Sequence, residues 1–257
     1  MKTLGKFKAA MFAVLLCANF TACNDDDNES NGNVIDNKKI TILVYEYNQY
    51  GRTDTETTTF DYNPEGRLSS ATYTDNHATT SEYTWHTDAI DFTTGRGNFE
   101  SYLLTNNLVQ KSDHPYGCTF TYNKSKQMST WKEPGPSAET TWTNSITWDG
   151  EKITTITHAL GNKIRSKTTF TYNTRSCSGY NPLIVDVVYS ETLAYAHPAL
   201  FGLRSPQLPT SITTKDYDEN TTETHNYEYE FDAEGYITKI TGRTENEIVE
   251  TWNITWE

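Results

Sequence analysis

The chain has 257 residues, a formal net charge of −13, 43 threonines, 17 tyrosines and six tryptophans. With no basic cluster after Lys8, nucleic acid is excluded as a partner, because phosphate binding needs a basic patch. The length allows one large β domain or two small ones, and abundant Thr, Tyr and Trp suit a half-buried pleated surface rather than long helices.

Lys2, Lys6 and Lys8 precede an apolar run from Ala9 to Phe20, which ends in Phe20-Thr21-Ala22-Cys23 and passes at once into Asn24-Asp25-Asp26-Asp27-Asn28-Glu29. A basic start, a short apolar core and a small residue before the cut make residues 1–22 an export signal. The run is too short to span a bilayer, which takes ~20 apolar residues. The segment resembles a bacterial lipoprotein signal, with Phe20 where Leu is usual and Thr21 and Ala22 in keeping. The resemblance implies that Cys23 accepts a palmitate-type lipid and anchors the chain without spanning the membrane. The run Asp25-Asp26-Asp27 resembles the surface-export tag of Bacteroidota lipoproteins, which implies the outer membrane and the cell surface; the periplasmic face is the alternative. A plain secretory signal would instead leave Cys23 an ordinary thiol. After cleavage, 18 basic residues face 34 acidic ones, a net charge of −16. Residues 23–39 are polar and acidic, and read as a flexible tether.

Residues 40–257 read as a single β domain in which one pattern returns. It occurs as Phe60-Asp61-Tyr62-Asn63, Phe120-Thr121-Tyr122-Asn123, Ile146-Thr147-Trp148-Asp149, Phe170-Thr171-Tyr172-Asn173 and Tyr229-Glu230-Phe231-Asp232. Each is a strand running into a turn; Asp149-Gly150 and Asn63-Pro64-Glu65-Gly66 carry strong turn chemistry. Alternation sets His225, Tyr227, Tyr229 and Phe231 on one face against Thr224, Asn226, Glu228 and Glu230, and sets Ile248, Trp252, Ile254 and Trp256 against Thr251, Asn253 and Thr255. One aromatic and one wet face is the mark of an antiparallel sheet with a solvated side. The uneven spacing of the repeats excludes a strict solenoid or propeller. The expected fold class is all-β, an antiparallel meander curled into a barrel or partial barrel. Alternation fits a soluble barrel or a membrane one; Pro134, Pro136, the charges between Lys163 and Lys167 and the redundancy of a lipid anchor favour the soluble form.

Residues 194–203 break the β pattern and read as a short helical insertion ended by Gly202, which caps one end of the sheet core or serves as a pocket lid. Asn181-Pro182-Leu183-Ile184, His197-Pro198-Ala199-Leu200-Phe201-Gly202, Leu208-Pro209-Thr210 and the stretch from Tyr227 to Ile240 resemble an uncharacterised domain of Bacteroidota lipoproteins, a domain of unknown function with a porin-like fold. The resemblance covers most of residues 40–257, implies a curled antiparallel architecture, and carries over no activity or site residue. Tyr62-Asn63-Pro64-Glu65-Gly66-Arg67-Leu68 resembles one unit of the tyrosine–aspartate repeats of bacterial shell proteins, as shared hairpin chemistry.

Candidate chemistry is sparse. Cys118 and Cys177 are the remaining thiols, and export permits a disulfide between them; two separate thiols are the alternative. Asp216-Tyr217-Asp218-Glu219-Asn220 begins like a calcium loop but has Thr221 where Gly and Tyr227 where Glu should stand, so it reads as a solvated hairpin turn. No two of the six histidines have helical metal spacing, and neither metal nor cofactor is expected. Asp113-His114-Pro115 reads as a turn rather than the acid–base half of a triad. Trp131, beside Lys132-Glu133-Pro134-Gly135-Pro136, is the best candidate for an exposed ligand platform, where a sugar would stack. The expectation is a non-enzymatic envelope lipoprotein that binds or scaffolds a glycan or a partner protein. An exported hydrolase using paired carboxylates and a purely structural envelope protein are the alternatives.

Overall fold

The computed structural model describes residues 38–257, apart from 50, 51, 76, 95, 96, 114–116, 138 and 246. These residues form sixteen strands: β1 Ile40–Gln49, β2 Arg52–Tyr62, β3 Leu68–Thr74, β4 Ala78–Trp85, β5 Ala89–Thr93, β6 Phe99–Thr105, β7 Leu108–Ser112, β8 Thr119–Tyr122, β9 Met128–Pro134, β10 Thr141–Asp149, β11 Lys152–Leu160, β12 Lys163–Ser176, β13 Gln207–Asp216, β14 Thr221–Phe231, β15 Ile237–Arg243 and β16 Ile248–Trp256. Each strand pairs antiparallel with its sequence neighbours, and β16 pairs with β1, so the meander closes into a complete barrel. Both chain ends meet at one rim, taken as the lower one, where Lys39 N donates to Glu257 O (2.6 Å) and Glu257 N to Lys39 O (2.9 Å).

The recurring aromatic pattern marks that rim. In every repeat the register slips just before the second aromatic, at Asp61/Tyr62, Thr121/Tyr122, Thr147/Trp148, Thr171/Tyr172 and Glu230/Phe231. A bulge leaves one residue unpaired and breaks the ladder beside it. The carbonyl just before the extra residue then takes a donor from an aromatic on the following strand. Trp85 Nε1 donates to Leu68 O (2.8 Å), Trp148 Nε1 to Met128 O (2.7 Å), Tyr172 OH to Ile153 O (3.0 Å) and Trp256 Nε1 to Ile237 O (2.7 Å). Tyr62 OH does the same for Ile40 O (2.8 Å). The Asn or Asp that follows closes the turn: Asn63 Oδ1 accepts from Arg67 N, and Asp232 Oδ1 from Glu234 N and Tyr236 N. Cations cover these rings from below, Lys39 over Tyr62 at 5.5 Å, Arg67 over Trp85 at 5.5 Å and Lys152 over Tyr172 at 5.8 Å.

The aromatic face points inward and the wet face outward. On β4, Thr80, Glu82 and Thr84 are exposed while Tyr83 and Trp85 turn in; on β14, Thr222, Thr224, Asn226, Glu228 and Glu230 are exposed. Hydroxyl pairs and ion pairs run across the outer wall, such as Thr72–Thr80 (2.9 Å), Thr213–Thr224 (2.8 Å) and Arg243–Glu228 (3.2 Å). Ile248, expected on the aromatic face, is instead 39% exposed, because a register slip between Gly242 and Arg243 turns it out.

The segment between β12 and β13 fills the lumen. It holds helix α1 (Pro182–Tyr189), helix α2 (Thr192–Ala196) and a 3-10 turn (Pro198–Phe201). Asn181 caps α1 by accepting from Leu183 N (3.1 Å), and Pro182 starts it. Gly202 ends the turn at φ 61; a Cβ there would lie 2.8 Å from Met128 N, on the backbone after the β8–β9 turn. The insertion touches strands all around the ring: Tyr62 and Trp85 pack on His197, Tyr102 and Phe120 on Phe201, Trp131 on Tyr189, and Trp256 on Tyr180. The expectation of an end cap is therefore corrected: the helical segment is longer and lies inside the barrel as a plug. Its apolar side chains and the inward aromatics make one core, because the lumen of so many strands is too wide for wall side chains alone to fill.

Candidate functional site

The plug enters and leaves at the lower rim, and the upper part of the lumen is polar. An open pocket of about 450 Å³ lies there between the β3–β4 hairpin and α2, lined by Tyr73, Asp75, His77, Thr79, Ser81 and Thr192 over Ala71. At Ala71, Thr79, Ser81 and Thr192 the lining carries small or hydroxylic side chains, where the lower tier carries Leu68 and Trp85.

A carboxylate-lined wall leads away from this pocket. Tyr73 pairs across the ladder with Thr58 of β2, one inward step from Glu56. On β16, Glu250 is buried; its Oε1 accepts from Tyr227 OH (2.9 Å) and lies 2.9 Å from His225 Nδ1, and its Oε2 accepts from Tyr45 OH (3.3 Å). Gly242 on β15 makes room for it, since a Cβ there would meet Glu250 Cγ at 2.5 Å. Thr244 lies one step beyond the Asn226–Arg243 pair, across from His225; it is buried and its Oγ1 has no hydrogen-bond partner.

From the plug, α1 adds Asp186, which accepts from Tyr195 OH of α2. Asp186 is surrounded by protein yet keeps accessible surface, so it faces open space in the lumen. Burial pushes its carboxyl up to about 7; the Tyr195 hydroxyl opposes this, and the nearby charges of Glu250 and Glu56 add to it. The phenols of Tyr45 and Tyr227 are held far above their ordinary range, first by burial and then by Glu250. These groups therefore stay protonated and serve as donors to the carboxylates.

Across the lumen, His158 Nδ1 lies 2.9 Å from Asn144 Oδ1 and its ring stacks on Trp142 at 4.6 Å. Burial, with help from Arg165, lowers the His158 pKa.

The residues expected from sequence are scattered. Cys23 and His114 lie outside the described residues. The bridge that export would permit between Cys118 and Cys177 is not formed. Cys118 precedes β8 at the upper end and Cys177 follows β12 at the lower end, so the topology holds them apart. Burial pushes the Cys118 thiol up to about 12, while Cys177 Sγ donates to Pro206 O (3.3 Å). Trp131 is no exposed platform: it turns inward, donates from Nε1 to Val188 O (3.0 Å) and stacks edge-on against Tyr189, holding the plug. Asp216–Asn220 forms the turn between β13 and β14, with Asp218 bound by Lys163 (2.6 Å) and Arg165 (2.7 Å). Glu56, Asp186 and Glu250 were missed. Each is a carboxylate at an apolar-face position, on the side of Phe60, within Pro182–Tyr189, and on the side of Trp252, and that misfit was the available signal.

No protein-family model matches the chain, and no curated protein matches it. Among the solved structures that match, two porin-like proteins share the fold. A porin-like protein from Bacteroides uniformis is 17% identical, with a TM-score of 0.64, covering 85% of this chain and 98% of that one. A porin-like protein from Bacteroides vulgatus is 11% identical, with a TM-score of 0.56 and the same coverage, 85% and 98%. At such identities the likeness establishes the closed barrel architecture alone.

Proposed function

We propose that this chain is a non-enzymatic, lipid-anchored protein of the outer membrane surface, whose water-soluble barrel offers the upper chamber to a ligand and conducts nothing. The polarity of the wall carries this reading. A barrel that crosses a bilayer needs an outward apolar band; here the outward positions of β4 and β14 are chiefly Thr, Asn and Glu, the exposed Ile42, Phe99, Leu103, Ile164 and Ile248 on other strands are scattered, and the apolar face is spent on the plug. The export signal and Cys23 support the anchor. Because the chain enters the barrel at the lower rim, the tether would hang from that rim and the chamber would open away from the membrane.

The test begins with palmitate labelling of the full-length protein in its host. Label is expected on the native chain and absent from Cys23→Ala. Protease cleavage within residues 23–39 should then release a domain that stays in the aqueous phase without detergent. Retention of the cleaved domain in the membrane, or stepwise conductance in a planar bilayer, would overturn the reading. A hydrolase is the second reading, motivated by Asp186, a carboxyl pushed to about 7 that feels the charge of Glu250. It requires turnover of a chromogenic glycoside that Asp186→Asn abolishes.

A further inference from the structure

We propose that the chamber binds a linear polyamine, whose ammonium groups are taken by Glu56, Asp186 and Glu250. This rests on the chamber being a ligand site, as argued above, and adds the chemical class.

Four observations carry it. The pocket of about 450 Å³ is open and large enough for a small organic molecule, and Tyr73 in its lining pairs with Thr58, one inward step along β2 from Glu56, which itself pairs with Tyr45 beside Glu250. Among the described residues, the groups bonded to Asp186 and Glu250 are the phenols of Tyr195, Tyr45 and Tyr227 and the His225 ring, and no Lys or Arg forms a salt bridge with either of them or with Glu56. The Thr244 hydroxyl is 8% exposed and lacks a hydrogen-bond partner. It shares the inward side of Gly242, the side that Glu250 occupies, and can accept from an ammonium N–H. A buried hydroxyl of this kind costs stability until a partner arrives.

The spacing selects the shape of the ligand. Among the described residues no three His, Cys, Asp or Glu groups converge on a point that could hold a metal ion. Glu250 pairs through Tyr47 of β1 with Asp54 of β2, and Glu56 lies two residues from Asp54, so Glu250 and Glu56 are two strand spacings apart across the sheet and two residues apart along it, a span of roughly 12 Å. One ammonium cannot bridge it, and two amines joined by methylenes can. Tyr45 stacks on Tyr47 at 5.3 Å and against Trp252 at 4.9 Å, which gives the methylenes an aromatic surface and the charges a π-face. The charge of −16 on the chain after residue 22 draws cations toward such a mouth. Mutual repulsion with Glu250 and Glu56 helps raise the Asp186 carboxyl, and a bound cation would relieve it.

Isothermal titration of the full-length protein with spermidine tests the assignment. Saturable binding is expected, weakening as salt rises. Glu56→Gln should raise the Kd at least about tenfold and Thr244→Val about threefold, while Glu82→Gln on the outer wall leaves it unchanged. Glu56→Gln and Thr244→Val remain informative even if the more buried Glu250→Gln fails to fold. Absence of spermidine binding, or binding that Glu56→Gln does not weaken, overturns the proposal. Binding of an uncharged disaccharide in place of spermidine overturns the polyamine and keeps the chamber as a ligand site. Binding of neither overturns both.

Discussion

Two titratable side chains on the plug pull stability in opposite directions across the same pH range. His197 accepts a hydrogen bond from Leu68 N through Nε2 (3.0 Å), which requires the neutral ring. Burial, then Lys39 and Arg67, push its pKa down to about 4. The unfolded chain binds the proton more tightly, so the His197 contribution is complete above about 6.5 and is lost as pH falls toward about 4. Asp186 is the converse. Its carboxyl rises from 3.8 to about 7, so its contribution is complete below about 3.8 and is lost as pH rises through about 7. Each is worth a few kcal/mol at most, at about 1.4 kcal/mol per unit, and between pH 4 and 7 they offset each other. Asp186→Asn should therefore make stability climb with pH over that window, and His197→Gln, which keeps an acceptor for Leu68 N, should make it decline. Urea unfolding at several pH values reads both slopes; parallel profiles for the two variants would refute the assignment.

At the level of elements, the lower rim was written plainly in the sequence and the plug was not. The aromatic-polar-aromatic-Asn/Asp repeat is a local code. The second aromatic, the bulge and the turn residue all lie within a few positions, and alternation shows which side is inward. Each donor from that code stands over a carbonyl the bulge has freed. Trp256→Phe removes the indole N–H and leaves Ile237 O buried, which should cost about 1–3 kcal/mol in denaturant unfolding. A loss of a few tenths would mean the carbonyl finds another donor. Helix α1 was hidden because Leu183-Ile184-Val185-Asp186-Val187-Val188 is rich in β-branched residues and reads as a strand, although Asn181-Pro182 is a helix start. Its helical form is imposed by enclosure on every side. The chamber was hidden for a different reason: Glu56, Asp186 and Glu250 come from three distant stretches, and only closure of β1 on β16 brings them together.

At the scale of the whole molecule, plug and wall depend on each other. A sixteen-strand ring encloses a water channel unless something fills it, and the inward faces of Phe60, Leu68, Ile90, Tyr102, Phe120 and Met128 are too apolar to line one. They are buried against Leu183, Ile184, Leu193, Phe201 and Leu203 of the insertion. In a barrel held by a bilayer, the outer apolar band would support the wall whether or not the lumen were filled. Among the described residues this wall has only scattered outward apolar side chains, Phe99 on β6 and Ile164 on β12 the foremost at 68% and 49% exposed, so the plug is its hydrophobic core. Replacing residues 180–204 with a short Gly/Ser linker, which the adjacent ends of β12 and β13 permit, should abolish cooperative unfolding. It should also collapse the near-UV signal of the inward tryptophans and expose surface that binds a hydrophobic dye. A linker variant that melted cooperatively near the native temperature would show the strand ladder to be self-sufficient, and would reopen the possibility that this barrel stands as an empty ring.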